Sequence, residues 1–187
     1  MYNLLTSVVS QLKGDFVIPG SGYEKHFCNV LGWECINNRY YDATDGFHLI
    51  ELKKGKDKMW FNMVRYAEIF LGIGIQNTVT VFFRYTKEAK QVSEIYVMDT
   101  RNIMNFLKMD RTKAHLCMAL KKDTVRGLNM QTAMTAKDMR EISEIVIYHP
   151  DVKKENYWKP LYVPGCEMFG MHRTFHEKVN VSTLHKE

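Results

Sequence analysis

The chain has 187 residues, of which 45% are hydrophobic and 25% charged, values typical of a globular protein with one hydrophobic core. No apolar run is long enough to span a bilayer, and the N-terminus lacks the basic start and small-residue cleavage site of a secretory signal. We therefore expect an intracellular, cytoplasmic protein with no membrane partner. The formal net charge of +5 is compatible with a polyanionic partner.

The first half of the chain predicts two helices, a hairpin, a third helix and a buried strand. In chain order these are a helix at 1–13, a helix at 22–31 ended by Gly32, a strand at 33–36, a turn at Asn37–Asn38, hairpin strands at 39–44 and 47–54, a helix at 58–71 capped by Asp57, and a strand at 78–83. On the third helix, Trp60 and Phe70 are placed on the apolar face, and Arg65 and Glu68 on the polar face.

The second half predicts shorter elements and a less regular end. They are a charged connection at 86–91, a strand at 95–98, a helix at 101–108 capped by Asp99 or Thr100, a strand at 116–120, a loop at 124–132, a helix at 135–141 capped by Thr135, a strand at 144–148, and an irregular segment from 149 to 187. No repeat or linker interrupts the chain, so we expect a single domain over 1–187.

The predicted hairpin brings three charged side chains to one face of a sheet. Asp45–Gly46 is a two-residue turn signal, and folding the strands about it pairs Asp42 with Leu49. Because side chains alternate with period two, Asp42, Glu51 and Lys53 project from the same side.

These residue types are those that metal-assisted phosphodiester hydrolysis requires. Mg²⁺ prefers hard oxygen ligands and keeps several waters, so the Asp42 and Glu51 carboxylates, with the Leu52 backbone carbonyl as a third ligand, are enough to hold it. Lys53 can orient or deprotonate the attacking water. The hairpin therefore predicts a metal site of a nuclease.

Asp42 followed by Glu51-Leu52-Lys53, in the order helix, three strands, helix, strand, resembles the PD-(D/E)xK nuclease superfamily. The string D-A-T-D-G-F-H-L-I-E-L-K is similar to the active-site hairpin of small type II restriction endonucleases of the Pvu type. The resemblance covers about 22–100, and Tyr41 stands where the family motif nominally has proline.

The resemblance implies an α/β fold with a restriction-endonuclease-like core (αβββαβ), in which a mixed central sheet is flanked by helices. It implies Asp42 and Glu51 as metal ligands, Lys53 as the catalytic lysine, and Glu24 on the first core helix as an assisting acid. The cofactor would be Mg²⁺, with Mn²⁺ as a substitute. A homodimer would cut double-stranded DNA and leave a 5′-phosphate and a 3′-hydroxyl.

Several alternatives remain open at the level of sequence. The same chemistry serves Holliday-junction resolvases, repair nucleases and viral RNA endonucleases, and the fold can also persist as a catalytically silent nucleic-acid-binding module. The charged residues could instead form an exposed ion-pair ladder, against which the neighbouring Phe47 and Leu49 argue. Competing assignments are Asp45 as the hairpin acid, the Glu88/Lys90 and Asp151/Lys153 pairs as E-x-K-like motifs, Cys166 with His172 and His176 as a metal set, and Lys54, Lys56, Lys58 and Arg65 as phosphate contacts or ordinary surface charge.

Overall fold

The computed structural model describes residues 17–36, 38–73, 78–86, 91–122, 131–148 and 159–161. Its helices are α1 (Tyr23–Leu31), α2 (Met63–Phe70), α3 (Thr100–Phe106), α4 (Arg111–Lys122) and α5 (Ala136–Ile142). Its strands are β1 (Glu34–Cys35), β2 (Ala43–Thr44), β3 (Leu49–Gly55), β4 (Lys58–Asn62), β5 (Thr78–Tyr85), β6 (Val92–Asp99), β7 (Gln131–Thr135), β8 (Ile145–Tyr148) and β9 (Lys159–Leu161).

Seven of these strands form one sheet in the order β1-β2-β3-β5-β6-β8-β9. Strands β3 and β5 are parallel, and every other neighbouring pair is antiparallel. Strands β4 and β7 form a separate antiparallel ribbon. The predicted α/β class, with a mixed central sheet flanked by helices, is confirmed.

The two faces of the sheet carry two hydrophobic clusters. In one cluster, α1 packs against side chains such as Ile50 and Leu52 of β3. In the other, the four helices from α2 through α5 and the β4–β7 ribbon pack against the opposite face of the sheet. Because β3 alternates, Glu51 and Lys53 project toward the face that carries α2. The alternation that places Ile50 and Leu52 in one hydrophobic cluster thus places Glu51 and Lys53 on the opposite face of the sheet.

Several predicted elements are present with small shifts at their ends. These are the helix at 22–31, the strands at 33–36, 78–83, 95–98 and 144–148, and the helices at 101–108 and 135–141. Asp99 caps α3, and Thr135 caps α5 in a reciprocal capping box with Asp138. The helix predicted at 1–13 lies outside the described residues.

The helix predicted at 58–71 is wrong in its first third. Residues 58–62 form β4, whose side chains alternate between exposed and buried and pair with β7. The helix begins only after Asn62, whose side-chain oxygen accepts from the backbone N–H groups of Val64 and Arg65. A period of two was mistaken for a helical stripe because the partner strand, β7, lies partly in a stretch predicted as loop.

The turn from β3 into β4 depends on a glycine. A Cβ atom on Gly55 would lie 2.5 Å from the Lys58 carbonyl oxygen and 2.9 Å from the Phe82 ring. Any side chain there would force these groups apart. The glycine therefore fixes where β4 leaves the central sheet.

Two predictions for the second half of the chain are also wrong. Residues 116–120 belong to helix α4 rather than to a strand. Within the segment predicted as irregular, residues 159–161 pair with β8 as the last strand of the sheet order. Pro160 is compatible with that place because a strand at a sheet edge can lack one backbone donor.

Because Asn62, and not Asp57, caps α2, substitutions of the two residues should differ in their effect on stability. We expect Asn62→Ala to lower the free energy of unfolding by about 1 kcal/mol, since it removes the acceptor for two helix N–H groups. Asp57→Ala should cost about 0.5 kcal/mol or less, because the Asp57 side chain is exposed in its pair with Arg84. Urea unfolding of both variants measures the difference, and a larger loss for Asp57→Ala would contradict this helix start.

Candidate active site

The hairpin that carries the site has a longer loop than the sequence predicted. Ala43 pairs with Ile50 and Thr44 with Leu49, so residues 45–48 form the loop instead of Asp45–Gly46 alone. The predicted pairing of Asp42 with Leu49 is therefore wrong by two residues. A shift of two preserves the face of every side chain, and it places Asp42 opposite Glu51.

Asp45 is the residue that holds this loop. Its Oδ1 accepts from the backbone N–H groups of Phe47 at 2.9 Å and His48 at 2.6 Å, and its Oδ2 lies 2.8 Å from His48 Nδ1. Burial acts to raise the pKa of Asp45, but these hydrogen bonds outweigh it and hold the pKa below its ordinary value. Asp45 therefore has a structural role, and Phe47, 90% exposed, gives the site no apolar cover.

Asp42 and Glu51 form a pair of interacting carboxyl groups. Asp42 Oδ2 accepts the backbone N–H of Leu52 at 2.8 Å, and the Asp42 and Glu51 carboxyl groups interact electrostatically. Burial, and then the nearby charge of Glu51, raise the pKa of Asp42 to about 6 against the opposing effects of Leu52 N–H and Lys53. The pair thus retains a proton that ordinary carboxylates lose at lower pH.

Two cations neutralise Glu51, whose side chain is only 5% exposed. Lys53 Nζ and Arg65 Nη1 both contact Glu51 Oε1, and Arg65 Nη2 donates to the Tyr40 carbonyl oxygen. The predicted exposure of Arg65 on a polar helix face is wrong, since the guanidinium is buried against the hairpin. Sequence reasoning missed it because the misplaced helix start obscured which residues face the sheet.

A second pair extends this layer toward solvent. Glu68, also predicted as exposed, is 3% exposed; its Oε1 lies 2.6 Å from Arg39 Nη2, and its Oε2 accepts from the Tyr40 hydroxyl at 3.3 Å. Arg39 is thereby held beside a pocket of about 250 Å³. Its walls are Arg39, Glu51, Lys53, Trp60, Phe61, Asn62, Arg65, Tyr66 and Gln131.

Helix α1 approaches the site through Tyr23 rather than through Glu24 alone. The Tyr23 hydroxyl donates to the Leu52 carbonyl oxygen at 3.4 Å. Burial raises the pKa of Tyr23, with the adjacent Glu24 carboxylate as the next cause, so the phenol stays protonated and remains a donor. Among the described residues no three His, Cys, Asp or Glu side chains form a metal-binding group, so Glu24 does not complete one with Asp42 and Glu51. Its assisting role stays a prediction.

The donors present nevertheless fit a hard divalent cation. Two opposed carboxyl groups repel each other once both ionise, as the raised pKa of Asp42 records. A cation between them would relieve that repulsion and displace the proton. Asp42, Glu51 and the Leu52 carbonyl are therefore the groups that would hold Mg²⁺, and Lys53 stands beside them.

The Glu88/Lys90 and Asp151/Lys153 pairs and the Cys166, His172 and His176 set lie outside the described residues. The Lys54 ammonium lies 4.4 Å from the centre of the Tyr23 ring, on the face away from Lys53. Lys56 and Lys58 are exposed beyond the end of β3.

Comparisons of the chain with protein-family models, curated proteins and solved structures find no significant match. Within the described part of the chain, no helix has the length and apolar composition needed to cross a membrane.

The raised pKa of Asp42 predicts a pH-dependent stability without divalent cations. The pKa of Asp42 is about 6 in the folded chain, against an ordinary 3.8, so the folded state binds the proton more tightly than the unfolded state. This proton binding stabilises the fold fully below about pH 4, and the stabilisation is lost as the pH rises to about 6. We expect the difference in unfolding free energy between wild type and Asp42→Asn to fall by about 1–2 kcal/mol over that range, allowing for partial exposure. Urea unfolding at several pH values in chelating buffer measures it, and a pH-independent difference would refute the assignment.

Proposed function

We propose that the chain is a Mg²⁺-dependent endonuclease of the PD-(D/E)xK type that hydrolyses phosphodiester bonds in DNA. The observation that carries this proposal is the Asp42–Glu51 carboxyl pair with Lys53 on the same carboxylate. Glu51 of this pair lines a pocket together with three cationic side chains, Arg39, Lys53 and Arg65, and is the one carboxylate in its wall. Such a pocket suits a phosphate group.

The order of elements supports the restriction-endonuclease-like core as part of this proposal. Helix α1, strands β1 to β3, helix α2 and strand β5 follow one another as that core requires, and α2 connects the parallel strands β3 and β5. Strand β4 is an addition between β3 and α2, so the agreement lies in the order and not in every element.

The residues of the chain divide the reaction among them. Bound Mg²⁺ supplies polarisation of the phosphate and activation of water. Asp42, Glu51 and the Leu52 carbonyl would hold that ion, while the Lys53 ammonium, on a side chain 34% exposed, would donate a hydrogen bond to the attacking water and orient it. Arg39 attracts the phosphate oxygens at the pocket mouth. The products would be a 5′-phosphate and a 3′-hydroxyl.

The proposed substrate is a short site in double-stranded DNA, cut by a homodimer as type II restriction enzymes do. One site per chain cuts one strand, and two-fold symmetry matches a palindromic sequence. Incubating the protein with plasmid DNA and Mg²⁺, and sequencing the fragment ends, tests this directly. Discrete fragments support it, whereas preference for branched DNA or RNA would favour a resolvase, repair nuclease or RNA endonuclease.

Lys53→Ala should abolish DNA cleavage by removing the group beside the attacking water. We expect a rate loss of about 10²–10⁴-fold, with DNA binding largely intact, measured by single-turnover cleavage and by filter binding. Lys54→Ala is the matched control because the neighbouring side chain projects to the opposite face, over Tyr23. Equal losses of cleavage rate in the two variants would contradict a specific role for Lys53.

Asp42→Ala and Asp45→Ala should separate metal binding from loop structure. Calorimetric titration with Mn²⁺ should show binding lost in Asp42→Ala but retained in Asp45→Ala, since only Asp42 opposes Glu51. Asp45→Ala should instead lower the free energy of unfolding by about 1–3 kcal/mol, because two backbone N–H groups lose their acceptor. The reverse pattern would make Asp45 the metal ligand.

A catalytically silent module is the outcome if no nucleic acid is cleaved. Wild-type protein that binds DNA but cleaves neither duplex, branched nor single-stranded substrates with Mg²⁺ or Mn²⁺ would replace the proposed enzyme by a binding protein. Retention of Mn²⁺ binding in that case would assign the carboxyl pair to a structural ion.

A further inference from the structure

Arg65 occupies an unusual position beside the paired carboxyl groups. Its side chain is 10% exposed, Nη1 contacts Glu51 Oε1, and Nη2 donates to the Tyr40 carbonyl oxygen. Its backbone N–H is directed to the Asn62 cap at 3.4 Å, so the residue is fixed at both ends. The guanidinium is thus built into the site rather than laid over it.

When both carboxyl groups are ionised, the formal charges of the pair and of its two cations sum to zero. Asp42 and Glu51 contribute two negative charges when ionised, and Lys53 and Arg65 contribute two positive ones. Lys53 and Arg65 also share one oxygen, Glu51 Oε1, so that oxygen is not free to ligate a second ion. The buried Nε of Arg65 has no acceptor among the described residues, which leaves its positive charge less neutralised on that side.

We propose that Arg65 takes the place of a second divalent cation, so that each chain binds one catalytic ion at Asp42 and Glu51. This inference rests on the proposed nuclease function. Two-metal sites place their ions about 3.5–4 Å apart, so the protein must supply oxygen ligands to both. Because Arg65 and Lys53 both contact Glu51 Oε1, the Asp42–Glu51 pair has one oxygen fewer to offer a second ion.

An arginine can perform this role where a lysine would not. Its charge is permanent and its planar fork can hold a carboxylate and a further oxygen at once. In Arg65 that further oxygen is the Tyr40 carbonyl, and the residue also forms part of the wall of the pocket. The fixed positive charge therefore stabilises developing negative charge on the phosphate, as a second ion would.

The test counts ions bound to the full-length chain. We expect calorimetric titration with Mn²⁺ to give one ion per wild-type chain and two per Arg65→Ala chain. Electron paramagnetic resonance should then show a spin-coupled Mn²⁺ pair only in the variant. Arg39→Ala is the matched control, because Arg39 is also a cation of the pocket but pairs with Glu68, and it should still bind one ion.

Either of two results would overturn the inference. The first is two ions per wild-type chain, and the second is one ion per Arg65→Ala chain with affinity within about twofold of wild type. If Arg65→Ala does not fold, as judged by thermal melting, Arg65→Gln repeats the count with a neutral side chain of similar length, under the same criteria.

The count is independent of whether the chain cleaves nucleic acid. One Mn²⁺ in wild type and two in Arg65→Ala, with no cleavage of any substrate, would refute the proposed function and leave the Arg65 inference standing. Cleavage by a wild-type chain that binds two ions would do the opposite. Where cleavage occurs, its dependence on Mg²⁺ should change from first order in wild type to second order in Arg65→Ala.

Discussion

The opposition of Asp42, which directly precedes β2, and Glu51 on β3 is the constraint on which the rest of the site depends. Two hydrogen bonds, one of them to the Asp42 side chain, enforce it: Asp42 N–H donates to Ile50 O at 2.8 Å, and Leu52 N–H donates to Asp42 Oδ2 at 2.8 Å. Strand β2 has only two residues, so its ladder alone cannot hold this register. The hydrogen bonds of Asp45 fix the loop between β2 and β3. The resulting pair of acids creates a negative potential that attracts Lys53 and Arg65.

Helix α2 supplies Arg65, whose positive charge is permanent, to this pair of acids. The ribbon of β4 and β7 carries the chain away from the central sheet, and the helix begins at the Asn62 cap, which lines the same pocket as Glu51. Residues one turn apart, Arg65 and Glu68, then reach the hairpin: one neutralises Glu51 and the other holds Arg39 at the pocket. Arg65 therefore contributes its charge from a largely buried side chain on a helix, which keeps this part of the pocket preorganised.

The sequence could predict which face the acids share but not how they are paired. Alternation in β3 is a local property, so Glu51 and Lys53 were correctly placed together, and a two-residue error in the loop left Asp42 on their side. The burial of Arg65 and Glu68 was not predictable in the same way, because it depends on β4 pairing with β7 some 70 residues later. A period of two over five residues cannot be distinguished from part of a helical stripe until that partner is known.

A comparison within the same sheet shows why the cations alone do not define the site. Glu94 on β6 is as deeply buried as Glu51 and also contacts two arginines, Arg84 and Arg140. There the third partner is the Tyr96 hydroxyl, a donor that completes the shell of the carboxylate. Glu51 instead faces a second acid, so its shell contains a repulsion that the two cations reduce without removing. A buried carboxylate with donors on all sides stabilises a fold, whereas one that must share its surroundings with another acid retains affinity for a further positive charge.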